Sequence, residues 1–588
     1  MNVAARLVPL TLILALSACE SPETVAADDS ELGLAAEIDP EYGKPLLGVA
    51  PEDEKGDAAT GIKGPVQNTS KDHAVWEVRN QWADTTTAEA KAAGMAWPAN
   101  SGLTWDEKYA AWVASMPKHA VNDWKTTFSL TTPQGKSVQA PQLECAETAV
   151  FLRASFASWY GLPFYLTASE NGKNLHFGHF GVYTDNGPDP RFSRYKVRYK
   201  DHSALSAAAA LAAWPTDSAL RARKLTPSGD DQNAWLGEGA YAGAYFDEVF
   251  LNKRVGHFLF VLLTYTGSIH LSSHWNTFNL AAADIREGDV LVERWQRQGI
   301  GHTLVVKRVA PIPGFEQNLD VELMSGSMPR RQPVWSSPAS SKSYLTSEYT
   351  GGPGDSDEDG PYAALGGGIK RWRTPVVQNG RWRNVIPQSD LGVWVNHTDL
   401  AAIAARTAEF EQLLGVPTPE ERLAGILDVI EGKRQHLREL PASCSARAGR
   451  EEAFGKLYEL MAEDYGTDRA ETDRQYRLLE DYVFAELRYD QSRTCCWNST
   501  NPAMYEVVMD LAKQSIYDAQ TSTCNEPPVF RMEDGGYARW AAHAASMGVA
   551  AEWAPWSADE TCPQAATVTT DTLAESIATP YCTLYPEP

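Results

Sequence analysis

Gln139-Ala-Pro-Gln-Leu-Glu-Cys145-Ala-Glu-Thr-Ala-Val-Phe-Leu-Arg-Ala-Ser-Phe-Ala-Ser-Trp-Tyr-Gly-Leu-Pro163 sets a cysteine at the mouth of a helix. Pro141 lies in a polar lead-in. Ala149, Leu152, Phe156 and Trp159 then recur at the spacing of one helix face. Gly161 and Pro163 stop the helix. A thiol at a helix N-terminus meets unpaired N–H groups and the positive end of the dipole, which favour the thiolate. That is the nucleophile a cysteine hydrolase needs. The same position also suits a small buried hydrophobe, so the rest of the chain must decide.

Length bounds the answer first. A chain of 588 residues exceeds a single core and divides into two or three domains. A hydrophobic share of 43% belongs to a folded protein. The net charge of −24 argues against nucleic acid or an anionic lipid surface as the main partner. The 19 Trp and 23 Tyr suit carbohydrate or peptide clefts as well as cores.

Residues 1–18 form an export signal: Arg6, the apolar run Leu7–Leu16, then Leu16-Ser17-Ala18-Cys19. The apolar run is too short to span a bilayer. Leu-Ser-Ala-Cys resembles the bacterial lipobox, which implies cleavage before Cys19 and a lipid on it. The expected location is the cell envelope. The outer membrane or cell surface is favoured, and the inner membrane stays open. Residues 19–65 are acidic and poor in aromatics, and read as a disordered tether.

The cysteines then sort by position. Cys444, Cys495, Cys496, Cys524, Cys562 and Cys582 lie together in an exported chain and read as disulfide-forming, with fifteen connectivities open. Cys145 is left alone in mid-chain, which favours a use for its thiol.

Past the Cys145 helix, Phe164–Thr167 and His176–Tyr183 read as strands, and residues 185–280 as an insertion. Gly288-Asp289 is a turn launching the strand Val290–Arg294. Gly299 and Gly301 make a second turn, with His302 heading an alternating strand. Val321–Ser327 is of the same type and can pair with it.

A helix-borne Cys, then a Gly-Asp turn with a strand, then Gly301-His302-Thr303 opening another strand resembles the papain-like cysteine hydrolase superfamily. The likeness is greatest to its NlpC-type and CHAP-type amidase branch and covers roughly residues 135–330. It implies Cys145 as nucleophile and His302 as general base. Glu322 or Ser325 would orient the His, and Gln139 or Gln142 would hold the oxyanion. A second pattern competes. Cys145-Ala-Glu-Thr followed by the His179 strand is similar to transglutaminase-like peptidases, with His179 as base and Asp185 as acid.

Lesser motifs carry less. Asp355, Asp357 and Asp359 before Gly360 match the first half of a calcium loop, but Gly366 stands where the bidentate Glu belongs. The default there is a solvated acidic loop. No metal or other cofactor is expected, calcium being a weak candidate. Gly366–Pro375 reads as a solvated basic hairpin, with Arg371 or Arg373 as carboxylate contacts in the sharper reading. Thr418-Pro419-Glu-Glu421 is a helix start, the Thr capping and the Glu closing a capping box.

The expected architecture is α+β. A papain-like catalytic domain (66–395) sets the Cys helix on an antiparallel sheet, and an all-α, disulfide-bonded domain (396–588) follows. The expected function is a lipid-anchored envelope hydrolase of amide bonds in peptidoglycan stem peptides or proteins. The alternatives are a non-catalytic envelope binding protein and an acyltransferase using Cys145, His179 and Asp185.

Overall fold

The computed structural model describes residues 64–586, apart from 68–71, 84, 86–87, 93–100, 123–124, 171–172, 227–228, 295–300, 357–359, 416, 490–498, 519, 521, 533–536, 556–570 and 576–577. The export signal, Cys19, nearly all of the tether, Cys495, Cys496, Cys562, Asp357 and Asp359 lie outside the described residues. Among the described residues no helix is long and apolar enough to cross a membrane.

The elements that matter follow in chain order. Helix α1 (Trp105–Ser115) opens with Thr104 and Glu107 in a capping box. Strands β1 (Lys118–Ala120), β2 (Thr126–Thr131) and β3 (Ser137–Gln139) form a small antiparallel sheet. The Cys145 helix is α2 (Cys145–Trp159). A second sheet holds β4 (Tyr165–Glu170), β5 (Lys173–Gly178), β6 (Gly181–Thr184) and β7 (Gly187–Pro188). Helices α3 (Ala242–Val249), α4 (Lys253–Thr264) and α5 (Ser268–Ser272) come next.

The main sheet then assembles from β8 (Thr277–Leu280), β9 (Val290–Arg294), β10 (Gly301–Ile312), β11 (Phe315–Ser325), β12 (Val334–Trp335), β13 (Gly368–Trp372) and β14 (Trp394–Val395). Its order is β12-β11-β10-β9-β13-β8-β14, antiparallel throughout. Helix α6 (Pro338–Leu345) lies between β12 and β13 in sequence. Helices α7 (Leu400–Leu414), α8 (Pro419–Glu439), α9 (Cys444–Asp464) and α10 (Pro502–Ser515) complete the set used below. The chain is therefore a mixed α and β protein with a helical C-terminal part.

Strand alternation divides the main sheet between two cores. On one face Val290, Val292, Val305 and Met324 pack with α2. On the other, Leu291, Leu304, Val306, Leu323 and Ile369 pack with Phe410 and Leu414 of α7. Helix α7 thus belongs to the sheet's own core. Helix α8, further along, contributes to clusters of its own. The predicted capping box at Thr418 is present: Glu421 N–H donates to its hydroxyl at 3.2 Å, and Thr418 N–H donates to the Glu421 carboxylate at 2.9 Å. Cys524 and Cys582 form a disulfide, and Cys444 is disulfide-bonded as well.

Three sequence readings need correction. The Cys145 helix is not amphipathic, for it is buried on every side from Cys145 to Ala157. Its polar positions are covered too: Arg153 stacks on Trp82 at 3.5 Å and pairs with Asp106 of α1 at 3.1 Å. The 176–183 segment is not one strand. It turns at His179-Phe180, where Gly181 takes φ 107° and stands so close to the His73 carbonyl that a side chain would clash. Gly366–Trp372 is no solvated hairpin; Gly368–Trp372 is the buried central strand β13.

The aromatic residues of the N-terminal segment clamp α2. Phe156 touches the rings of Trp82, Trp105, Tyr109 and Trp112 at centroid distances of 5.3–6.2 Å. Emptying that position removes a large buried ring and leaves a cavity. Phe156→Ala should cost about 3–5 kcal/mol in denaturant unfolding; a loss under about 1 kcal/mol would show that this cluster does not hold the helix.

Candidate functional site

Cys145 is the first residue of α2, 3% exposed, and forms no disulfide. Two features seat the helix mouth on the sheet. Gly326, just past β11, runs against the Leu143 and Glu144 carbonyls, where a Cβ would stand 2.1 and 2.7 Å from them. Leu143 N–H donates to the Arg331 carbonyl at 3.1 Å. Beside them Arg330 is gripped by three carboxylates: Glu144 at 3.1 Å, Glu147 at 2.6 Å and Asp230 at 3.2 Å. Burial alone would weaken its charge, yet the carboxylates hold Arg330 well above its ordinary value. Glu147 also accepts the Glu144 N–H at 2.8 Å, capping the helix from within.

His302 opens β10 at the same end of the sheet. The Ser325 hydroxyl donates to the Thr303 carbonyl at 2.7 Å and ties this end of β10 to the end of β11 beside the helix mouth. The ring itself turns elsewhere. His302 shares its face with Leu304 and Val306, the face away from α2, because successive strand residues alternate. There it meets the ring of Tyr344 on α6 at 6.4 Å. No hydrogen bond joins His302 to Cys145, so the expected dyad is not assembled in this arrangement. Burial, then the cations Arg331 and Lys433, push His302 down to about 3, which keeps the imidazole neutral.

The expected orienting groups do not reach it. Glu322 lies on the α2 face, accepting from Lys118 and from Trp335 Nε1 at 3.0 Å each. Ser325 is committed to the two backbone carbonyls of Thr303 and Gly326. The group that does stand directly across from His302 is Glu293 of β9. Burial pushes its carboxyl up to about 7. The register of the Gly288–Gly301 hairpin is the signal that would have found it. Gln139 accepts from Gln332 at 3.2 Å, and the Gln142 backbone N–H donates to Asn233 at 3.1 Å.

The His179 alternative is excluded by distance. His179 Nδ1 bonds the Phe164 backbone and stacks edge-on to Trp382, beyond the C-terminal end of α2. Cys145 is at the other end, roughly 20 Å away along a helix of this length. Asp185 pairs with His176 at 2.9 Å, not with His179. Burial leaves His179 at about 4.

Arg371 is no substrate contact either. It is buried in a bidentate pair with Asp289 at 2.8 and 2.9 Å. Asp355 sits in a two-residue ladder, and no metal-holding cluster occurs among the described residues. A surface cavity of about 530 Å³, lined by Arg191, Phe192, Arg194 and Arg198, lies on the insertion and not at Cys145.

Sequence reading missed a second set of groups around the helix mouth. The Arg331 guanidinium lies within electrostatic reach of the Cys145 thiol, of Tyr344 and of Glu439 on α8. Lys433 and His436 come from the inner face of α8, one helical turn apart. Nothing in the C-terminal helices marks them by motif. Comparison with protein-family models, with curated proteins and with solved structures finds no match for this chain.

A buried neutral histidine has a measurable cost in acid. Unfolded, His302 takes up a proton below its ordinary value of 6.5, and folded it resists until about 3. The unfolded state binds more protons across that range, so stability is lost as pH falls from 6.5 toward 3. On lowering the pH from 7 to 5, His302→Gln should lose about 1–2 kcal/mol less than the parent chain in denaturant titrations. Equal losses would show that His302 titrates normally.

Proposed function

We propose that this chain is an envelope cysteine hydrolase acting on amide bonds, with a papain-like arrangement of Cys145 as nucleophile and His302 as base. The observation that supports the reading is the meeting of three parts at one end of the main sheet. These are the first residue of α2, the first turn-free residues of β10, and the cation Arg331 beside the thiol. A helix mouth and a guanidinium both favour a thiolate. In the reaction the thiolate adds to the amide carbonyl, the C–N bond breaks, and the imidazolium gives its proton to the leaving amine. Water then releases the acid and restores the thiol.

The described arrangement is the resting one in this reading. His302 lies under Tyr344 and near Lys433, and it must come round to the thiol before it can act. Catalytic contacts are often loose in the absence of substrate. The lipobox resemblance supplies the location, and a peptidoglycan stem peptide or an envelope protein is the substrate class that fits it.

One observation favours a second reading, a binding protein with an inert cysteine: Cys145 is 3% exposed and packs within the core. Thiol chemistry separates the two. Alkylation of Cys145 by iodoacetamide, followed by mass spectrometry across pH, should show an apparent pKa well below the free-thiol value of ~8.5. That depression should shrink in Arg331→Met and survive in His179→Ala. A thiol inert below pH 9, or indifferent to Arg331, would leave the binding protein standing.

A further inference from the structure

Four nitrogen-bearing groups converge at the site, and two of them, Arg331 and His436, hold a buried nitrogen with no partner. Arg331 Nε is buried without an acceptor, and no carboxylate lies within ion-pair distance of its guanidinium among the described residues. Lys433 likewise has no ion-pair partner; it passes over Gly449 of α9, where only the missing side chain leaves it room, its Nζ 3.2 Å from a Cβ built there. His436 is 9% exposed, and its Nε2 meets no partner. His302 makes no hydrogen bond to a described residue. Both cations act on both histidines, so the four share one place.

The carboxylates nearby do not fill the need. Glu439 faces Arg331, and Glu293 and Glu452 face Lys433, but none reaches ion-pair distance. A cation left unpaired in a partly buried site is costly, and so is an unsatisfied buried donor. Elsewhere this chain pairs several buried cations closely, as in Arg330 with Glu147 or Arg477 with Glu451. Arg406 of α7 also keeps two buried nitrogens without an acceptor, but its guanidinium still donates to the Ile369 carbonyl at 2.9 Å.

We propose that Arg331, Lys433 and His436 form an anion subsite for a carboxylate of the substrate, so that the C-terminal helices complete the binding site of the sheet domain. The inference rests on the hydrolase reading for the subsite's purpose, though not for its existence. A guanidinium and an ammonium with imidazole N–H groups suit a planar carboxylate, which accepts through both oxygens. The substrate class is then an acyl compound carrying a free carboxylate near the amide that is cut. Its arrival offsets the two cations that depress His302, so binding and the basicity of His302 are coupled.

The test uses the full-length chain carrying Cys145→Ala, so that thiol chemistry plays no part. Glutarate and its uncharged diamide, glutaramide, are titrated at matched ionic strength while the thermal midpoint is followed. Glutarate should raise the midpoint saturably, by roughly 2–4 °C or more at saturation, and glutaramide should not. Lys433→Met and Arg331→Met should each abolish the glutarate shift. No saturable shift, an equal shift with glutaramide, or a shift that survives both substitutions overturns the subsite. Should either variant fail to fold, the glutarate–glutaramide comparison in the parent decides alone. A second measurement separates the two readings: with Cys145 present, the rate ratio of iodoacetate to iodoacetamide should fall at least tenfold in Lys433→Met. A thiol inert to both reagents defeats the hydrolase reading, while the glutarate titration still decides the subsite.

Discussion

The structure depends on how the mouth of α2 is held against the end of the main sheet. Glu144 and Glu147 point their carboxylates at Arg330, and Gly326 lets the backbone past β11 lie directly against the Leu143 and Glu144 carbonyls. Removing the arginine alone would leave two buried carboxylates uncompensated, a loss of several kcal/mol by the general rule for broken buried pairs. This cluster fixes where Cys145 sits. It also sets two negative charges close to the helix start, against the effect of the dipole, and Arg331 lies on the side of the thiol. The local field at Cys145 is the sum of these opposing parts.

Much of this was legible in the sequence, and the limits have physical reasons. The start of α2 at Cys145, the Gly288-Asp289 turn, the β10 strand and the Thr418 capping box follow from local signals: caps, turns and periodicity. The face on which His302 lies was not legible. It depends on which parity of β10 meets α2, and both parities of this strand are apolar: Val305 faces one core and Leu304 and Val306 the other. A strand buried on both sides carries no alternation to read. The all-round burial of α2 escaped for a similar reason, since polar Arg153 is covered by Trp82 and Tyr109 from a segment far back in the chain.

The groups that surround His302 and Arg331 came from long range. Glu293 required the hairpin register, and Lys433 and His436 required the packing of α8 on α6, where Ser340 donates to Asp428 and Lys342 pairs with Glu421 at 2.9 Å. None of these contacts is announced by spacing. They change the character of the site all the same. A histidine that is buried, and beside two cations as well, stays neutral and can receive a proton from a thiol or meet an anion once one arrives. Burial comes first in keeping His302 from holding a proton, and the cations that add to it are the ones suited to a substrate carboxylate.

The central claim is that Cys145 is a nucleophile served by His302, and trapping tests it most directly. The chain would be incubated with a peptidyl epoxysuccinate, which a thiolate opens to a stable thioether, and the adduct mapped by tandem mass spectrometry. The account predicts a single adduct on Cys145 that forms far more slowly in His302→Ala. No adduct on Cys145, or an adduct formed equally fast without His302, would contradict it.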